Sequence, residues 1–190
     1  MTLFKFRKAG AVLLCLIFVL QPPAFAATDA ILKHIVVTNT RDDLLLYLSA
    51  DGAFREKMKT AILSGVPASF SFFITLNIVR NFWPDKTITD IKVTHTIKYD
   101  SLKKEFKVNR SWENDDTQVT TSFDEAQRWM TELASLKITP LSALEKGRQY
   151  QIRAKAKLSK LTLPFYLHYV LFFVALWDFE TDWYTIDFTY

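Results

Sequence analysis

Cysteine occurs once in the 190 residues, glycine four times and histidine three times. These scarcities exclude a good deal. Gly10, Gly52, Gly65 and Gly147 are far apart, so neither a glycine-rich phosphate loop nor a G-x-S-x-G nucleophile turn can be written. His34, His95 and His168 stand singly, with no H-E-x-x-H and no i, i+4 pair, so the usual zinc patterns are missing. A Ser–His pair drawn from separate strands stays open. So does a pair of carboxylates across a cleft, which sequence alone cannot place. With no motif for chemistry, the chain is read as non-enzymatic, without a cofactor or a metal.

What is present is apolar. At 49% hydrophobic and 15% aromatic, the chain can bury a core, which excludes full disorder.

Residues 1–26 read as a secretory signal peptide. Lys5, Arg7 and Lys8 form a basic start, Ala9 to Leu20 an apolar run, and Ala24-Phe25-Ala26 a cleavage site. The run is shorter than the roughly 20 residues of a membrane span. Retention as an anchor is the alternative. Cys15 lies inside the run and follows Leu14, whereas a lipidated cysteine needs a small residue before it. Cleavage before Ala27 would remove the only thiol, leaving no disulfide. It would also take the net charge from +4 to +1 by removing Lys5, Arg7 and Lys8. Bulk charge therefore gives no support to nucleic-acid binding. Export without disulfides points to a periplasm.

Residues 27–190 read as a single β-rich domain. Ile31–Val37 and Leu44–Leu48 flank a turn at Thr38 to Asp43, predicting a hairpin. Phe54, Met58, Ala61, Ile62 and Gly65 follow helical spacing after Asp51-Gly52, and Pro67 forbids continuation. Phe70 to Val79 is a strand with apolar residues on both faces. The turn Asn81-Phe82-Trp83-Pro84-Asp85-Lys86 leads to a half-buried strand carrying Ile91, Val93, Ile97 and Tyr99. Phe106, Val108 and Trp112 continue as its return strand, broken at Asn114-Asp115-Asp116. Ser122-Phe123-Asp124-Glu125 is a capping box opening a second amphipathic helix, Ser122–Ser135. Tyr150, Ile152, Ala154, Ala156 and Leu158 alternate with Gln151, Arg153, Lys155 and Lys157. Trp183 to Tyr190 forms a last strand. The expected fold is α+β and mainly β: an antiparallel, sandwich-like arrangement with two interposed amphipathic helices.

Several segments together resemble the exported bacterial family DUF4390, a domain of unknown function. They are Ala61 to Pro67, Phe70-Ser71-Phe72, Ile97-Lys98-Tyr99-Asp100, Phe123 to Ala126, Gly147 to Tyr150, Leu163-Pro164 and Trp177 to Trp183. The resemblance covers essentially all of the chain after Ala26. It implies export, assigns no activity and supplies no functional residues.

Three features remain to be weighed. His95 is in phase with Val93 and Ile97 and is expected to be a core or sheet-edge histidine with a hydrogen-bond partner. Asp178, Glu180 and Asp182 share one strand face and have the spacing for Ca²⁺, but no glycine-containing loop accompanies them. A solvated turn is the plainer reading. Arg153, Lys155, Lys157 and Lys160 make a basic stripe, either a solvated strand face or a contact for anionic headgroups. It runs into Leu163–Trp177, fifteen residues without a charge, which is either buried or an exposed patch. If exposed, its aromatic residues Phe165, Tyr166, Tyr169, Phe172, Phe173 and Trp177 join the stripe in a membrane or partner contact. The resulting expectation is an exported, periplasmic interaction protein at an envelope membrane face, its partner an envelope protein or the membrane surface. The alternative is a periplasmic carrier of a lipid or other apolar ligand.

Overall fold

A computed structural model describes residues 30–112, 117–159 and 180–190. The signal-peptide segment, Asn114 to Asp116, Lys160 and Leu163–Trp177 lie outside the described residues.

Among the described residues the fold is mainly β, with two antiparallel sheets and two α-helices. The smaller sheet has the order β1-β2-β7 and the larger the order β6-β5-β4-β3-β8-β9. The predicted hairpin is present as β1 (Ile31–Asn39) and β2 (Asp43–Asp51). The Thr40 side chain closes its turn by accepting from the Asp43 N–H at 3.0 Å. Strand alternation then turns Leu44, Leu46, Leu48 and Ala50 inward, all buried.

Helix α1 (Glu56–Leu63) is shorter than the spacing predicts. Gly52 takes a left-handed φ of +74° and ends β2, so Phe54 lies before the first helical turn. Gly65, at φ +88°, closes the helix. Its N–H donates to the Ile62 carbonyl and that of Val66 to Ala61, so two carbonyls left over by the helix are satisfied.

Strands β3 (Ala68–Ile78) and β4 (Lys86–Asp100) form the long hairpin of the large sheet. β3 is central, paired with β4 on one edge and with β8 (Gln149–Ser159) on the other. Phe70, Phe72, Ile74 and Leu76 are almost fully buried, as are Ile152, Ala154 and Ala156 beside them. Each large apolar side chain so removed from water contributes about 1.5–3 kcal/mol before entropic costs.

The return strand β5 (Glu105–Arg110) is shorter than expected. Trp112 belongs to the turn after it, and the edge is taken by β6 (Gln118–Thr120). Helix α2 (Phe123–Thr131) starts at Ser122, whose hydroxyl accepts from the Glu125 N–H. The reciprocal half of the capping box is relayed. Thr120 accepts from the Ser122 N–H at 3.0 Å and donates to the Glu125 carboxylate.

The predicted extension of this helix to Ser135 is overturned: Glu132–Pro140 is a strand, β7, that follows α2 with no loop. β2 needs a second partner for its backbone groups, and β7 supplies it. Two register shifts and a left-handed Ser135 (φ +55°) accommodate the pairing, bringing Leu133, Leu136 and Ile138 into the core. β9 (Tyr184–Thr189) pairs with β8 as the other edge strand. The inner faces of both sheets and one side of each helix meet in a single apolar cluster.

Candidate functional site

The outward side chains of β8 define the surface foreseen as a basic stripe. Because strand residues alternate, burying Ile152, Ala154, Ala156 and Leu158 forces Arg153, Lys155 and Lys157 onto the opposite face. Pairing with β3 sets Phe73 directly beside Lys155, and pairing of β3 with β4 sets Lys92 on the other side of Phe73. The Lys155 and Lys92 ammonium groups lie 5.7 Å and 5.6 Å from the Phe73 ring centre.

The segment from Glu180 is pinned against this face. Thr181 is buried, its N–H donates to the Ala156 carbonyl, and its hydroxyl accepts from the Ala156 N–H, each at 2.9 Å. That clamp delivers two neighbours to the surface. The Glu180 carboxylate accepts from Lys155 and, at 2.9 Å, from Lys157, which holds its pKa down at about 2. The Trp183 ring takes the Arg153 guanidinium and the Lys155 ammonium, each 4.8 Å from its centre. Stacking of this kind is worth about 0.5–1 kcal/mol at an exposed site.

The stripe is thus a compensated surface of cations, aromatic rings and one carboxylate. Arg153, Lys155 and Lys157 share one face of β8. Lys160, Phe165, Tyr166, Tyr169, Phe172, Phe173 and Trp177 fall outside the described residues, as does Asp178. Glu180 is engaged by lysines and Asp182 is exposed. Among the described residues, no group of three His, Cys, Asp or Glu lies close enough to hold a metal ion. Also among them, no helix is long and apolar enough to cross a membrane.

Phe73, Lys92 and Trp183 were missed as members of this surface. Phe73 reads as one more core residue of an apolar strand. Its outward parity in a strand alternating with Phe72 was the available signal. Trp183 depends on the Thr181 clamp, which no local pattern announces.

A second polar cluster lies inside. His95 is fully buried on the inner face of β4. Its Nδ1 is 3.0 Å from the Met130 carbonyl oxygen, and the Trp112 indole N–H donates to its Nε2 at 3.2 Å. Since Nε2 accepts, Nδ1 carries the proton and donates to Met130, so the ring is neutral with a fixed tautomer. Burial pushes its pKa down to about 4, opposed by the Met130 carbonyl and reinforced by the nearby Arg110 charge. Phe72 packs edge-on against the imidazole, 5.3 Å between centres. With both ring nitrogens occupied and no route to water, this histidine joins β4, α2 and the turn after β5 as a structural tie.

A small groove of about 280 Å³ opens between Ala30–Leu32 and Glu180–Tyr184. Phe70, Phe72, Leu46 and Tyr150 belong to the core cluster that the two sheets share.

The model of the family described as "Domain of unknown function (DUF4390)" matches residues 27–187, and the chain belongs to that family. Comparison with curated proteins and with solved structures finds no match.

Proposed function

We propose that this family member is an exported, non-enzymatic interaction protein that works in the periplasm at an envelope membrane face. The outer face of the large sheet, around Trp183, is its protein-binding surface. The observation that supports the reading is the set of rings fixed in place by charge. Trp183 sits between Arg153 and Lys155, and Phe73 between Lys155 and Lys92. Tryptophan and arginine are the residue types that most often dominate protein interfaces, and rings already held in one geometry lose little entropy on binding.

Compensation by Glu180 argues against lipid as the ligand of this face. Two of the lysines already have a carboxylate partner, so their attraction to anionic headgroups is reduced. A broad sheet face also cannot insert side chains into a bilayer without burying its own polar rows. An envelope protein is the occupant that fits.

The test is photo-crosslinking in the producing cell, with a photoreactive residue at Trp183 and a control at Asp124 on the exposed side of α2. A discrete adduct of fixed mass from position 183 and none from 124 is expected. No adduct at 183, or the same smear from both, would sink the reading.

The carrier alternative rests on the groove beside Trp183. Its volume, about 280 Å³, falls just below the usual range for small-molecule sites and suits a short apolar group better than a whole lipid. A native mass spectrum of the protein from its own compartment tests it, through an adduct lost on denaturation.

A further inference from the structure

Phe82 and Trp83 are the tip of the β3–β4 hairpin, and they are 94% and 75% exposed. Other exposed large apolar side chains are either about half covered or, like Leu102, single among polar neighbours. Here two aromatic residues stand together at the end of the longest hairpin among the described residues. No ring or cation contact involving either is found among the described residues. A pair of unsupported aromatics contributes nothing to the core and costs solubility.

The tip is built to present them. The Arg80 N–H donates to the Asp85 side chain at 3.1 Å, which closes the loop on itself. Pro84 fixes one backbone angle directly after Trp83. Below the loop, the Val79 N–H donates to the Gln149 carbonyl at 3.1 Å, and Ile78 pairs with both Lys86 and Tyr150. The rings thus stand on a loop closed on itself above a hydrogen-bonded sheet end. Arg80 and Lys86, both exposed, stand at the two feet of the loop. Lys146 is exposed in the turn leading into β8 at the same end.

We propose that this hairpin tip is a lipid-docking element, with Phe82 and Trp83 entering the headgroup layer of a bilayer and Arg80 and Lys86 meeting lipid phosphates. The chemistry is that of an interface. Aromatic rings, tryptophan above all, favour the zone between water and hydrocarbon, and long basic side chains reach back to phosphate from there. Two rings are too few for permanent anchoring, so the contact is reversible. The inference deepens the envelope-face reading by naming where lipid is touched. It does not depend on the Trp183 surface, which faces sideways from the sheet and not from its end.

The processed protein, purified from the producing cell, is tested on vesicles of phosphatidylethanolamine and phosphatidylglycerol. Three variants accompany it: F82S/W83S, W83F, and L102S, an exposed apolar position past the opposite end of β4. Vesicles with brominated acyl chains report depth by quenching tryptophan emission. Wild type is expected to partition onto the vesicles, and F82S/W83S at least about a hundredfold more weakly, as two lost apolar contacts imply. W83F is expected to bind nearly as wild type but to lose the quenching, and L102S to match wild type in both. Circular dichroism of each variant checks the fold, which these exposed positions leave intact.

Equal partitioning of wild type and F82S/W83S overturns the proposal, as does quenching that survives in W83F. Self-association in solution that F82S/W83S abolishes, without any lipid binding, overturns it too and assigns the tip to a second copy of the chain. Failure here leaves the crosslink at Trp183 unaffected, and the reverse holds.

Discussion

The molecule holds two polar networks on opposite faces of one sheet, and they solve the same problem differently. On the inner face, Trp112, His95 and the Met130 carbonyl satisfy one another without a net charge. On the outer face, Glu180, Lys155 and Lys157 satisfy one another with charge. Burial decides which solution is available. The buried Arg110 guanidinium already lies over the Trp112 ring, and a second positive charge on His95 beside it would lose its hydration with nothing adequate in return, so the imidazole stays neutral and its geometry is fixed by direction. The outer network keeps water, so its charges are cheap to hold and weak in effect. The inner network is therefore architecture, while the outer one shapes a surface at small cost to stability.

Replacing the buried histidine should break this contrast most severely. His95→Leu leaves the Trp112 N–H and the Met130 carbonyl without partners, and a loss of about 3 kcal/mol is expected. Urea unfolding measures it, and a change below 1 kcal/mol would deny the tie its structural role.

Acid should separate the two networks by window. The His95 pKa is about 4 in the fold and 6.5 without it, so between these values the unfolded chain binds more protons. The stability that depends on a neutral His95 is complete above pH 6.5, falls as pH drops and is gone by pH 4, a loss of roughly 3 kcal/mol. Glu180 shifts the same way lower down, from 4.5 to about 2. Its contribution is present above pH 4.5 and disappears towards pH 2. Unfolding followed against pH should show the upper window vanish in His95→Leu while the lower remains.

The smallest effect belongs to Glu180→Gln. It removes the charge that Lys155 and Lys157 share, yet the melting temperature should move little, and the difference should fade in molar salt as screening replaces the lost partner. A large, salt-independent drop would mean that the outer network is as structural as the inner one.

Much of this organisation was legible beforehand, for reasons that differ by element. The inward set of β8 and the burial of His95 follow from strict alternation, which needs no knowledge of partners. The caps at Gly65 and Ser122 follow from residue chemistry over a few positions. The turn from α2 into β7 was not legible. Leu133 continues the helical spacing of Phe123, Ala126 and Met130, and only the open edge of β2 pulls the chain out of the helix. Trp112 was misread as strand for a similar reason, since its role is fixed by a nitrogen seventeen positions away. The outer surface was half visible: its cations alternate on one strand, but its rings arrive from β3 and from the segment after Glu180. The docking tip was in plain sight as Phe82-Trp83-Pro84, read only as a turn because sequence carries no measure of exposure.

The pairing of β3 with β8 also bears on the time course of folding. Ile78 lies beside Tyr150 and Ser69 beside Ser159, so the centre of the large sheet is stitched from chain positions far apart. A polypeptide delivered from its N-terminus finishes the β3–β4 hairpin early, with one flank of β3 open and apolar. That flank stays sticky until the last third of the chain arrives, and closing so long a loop is slow. The interval before β8 docks is when this protein is most exposed to aggregation, and when an assisting chaperone would have the most to hold.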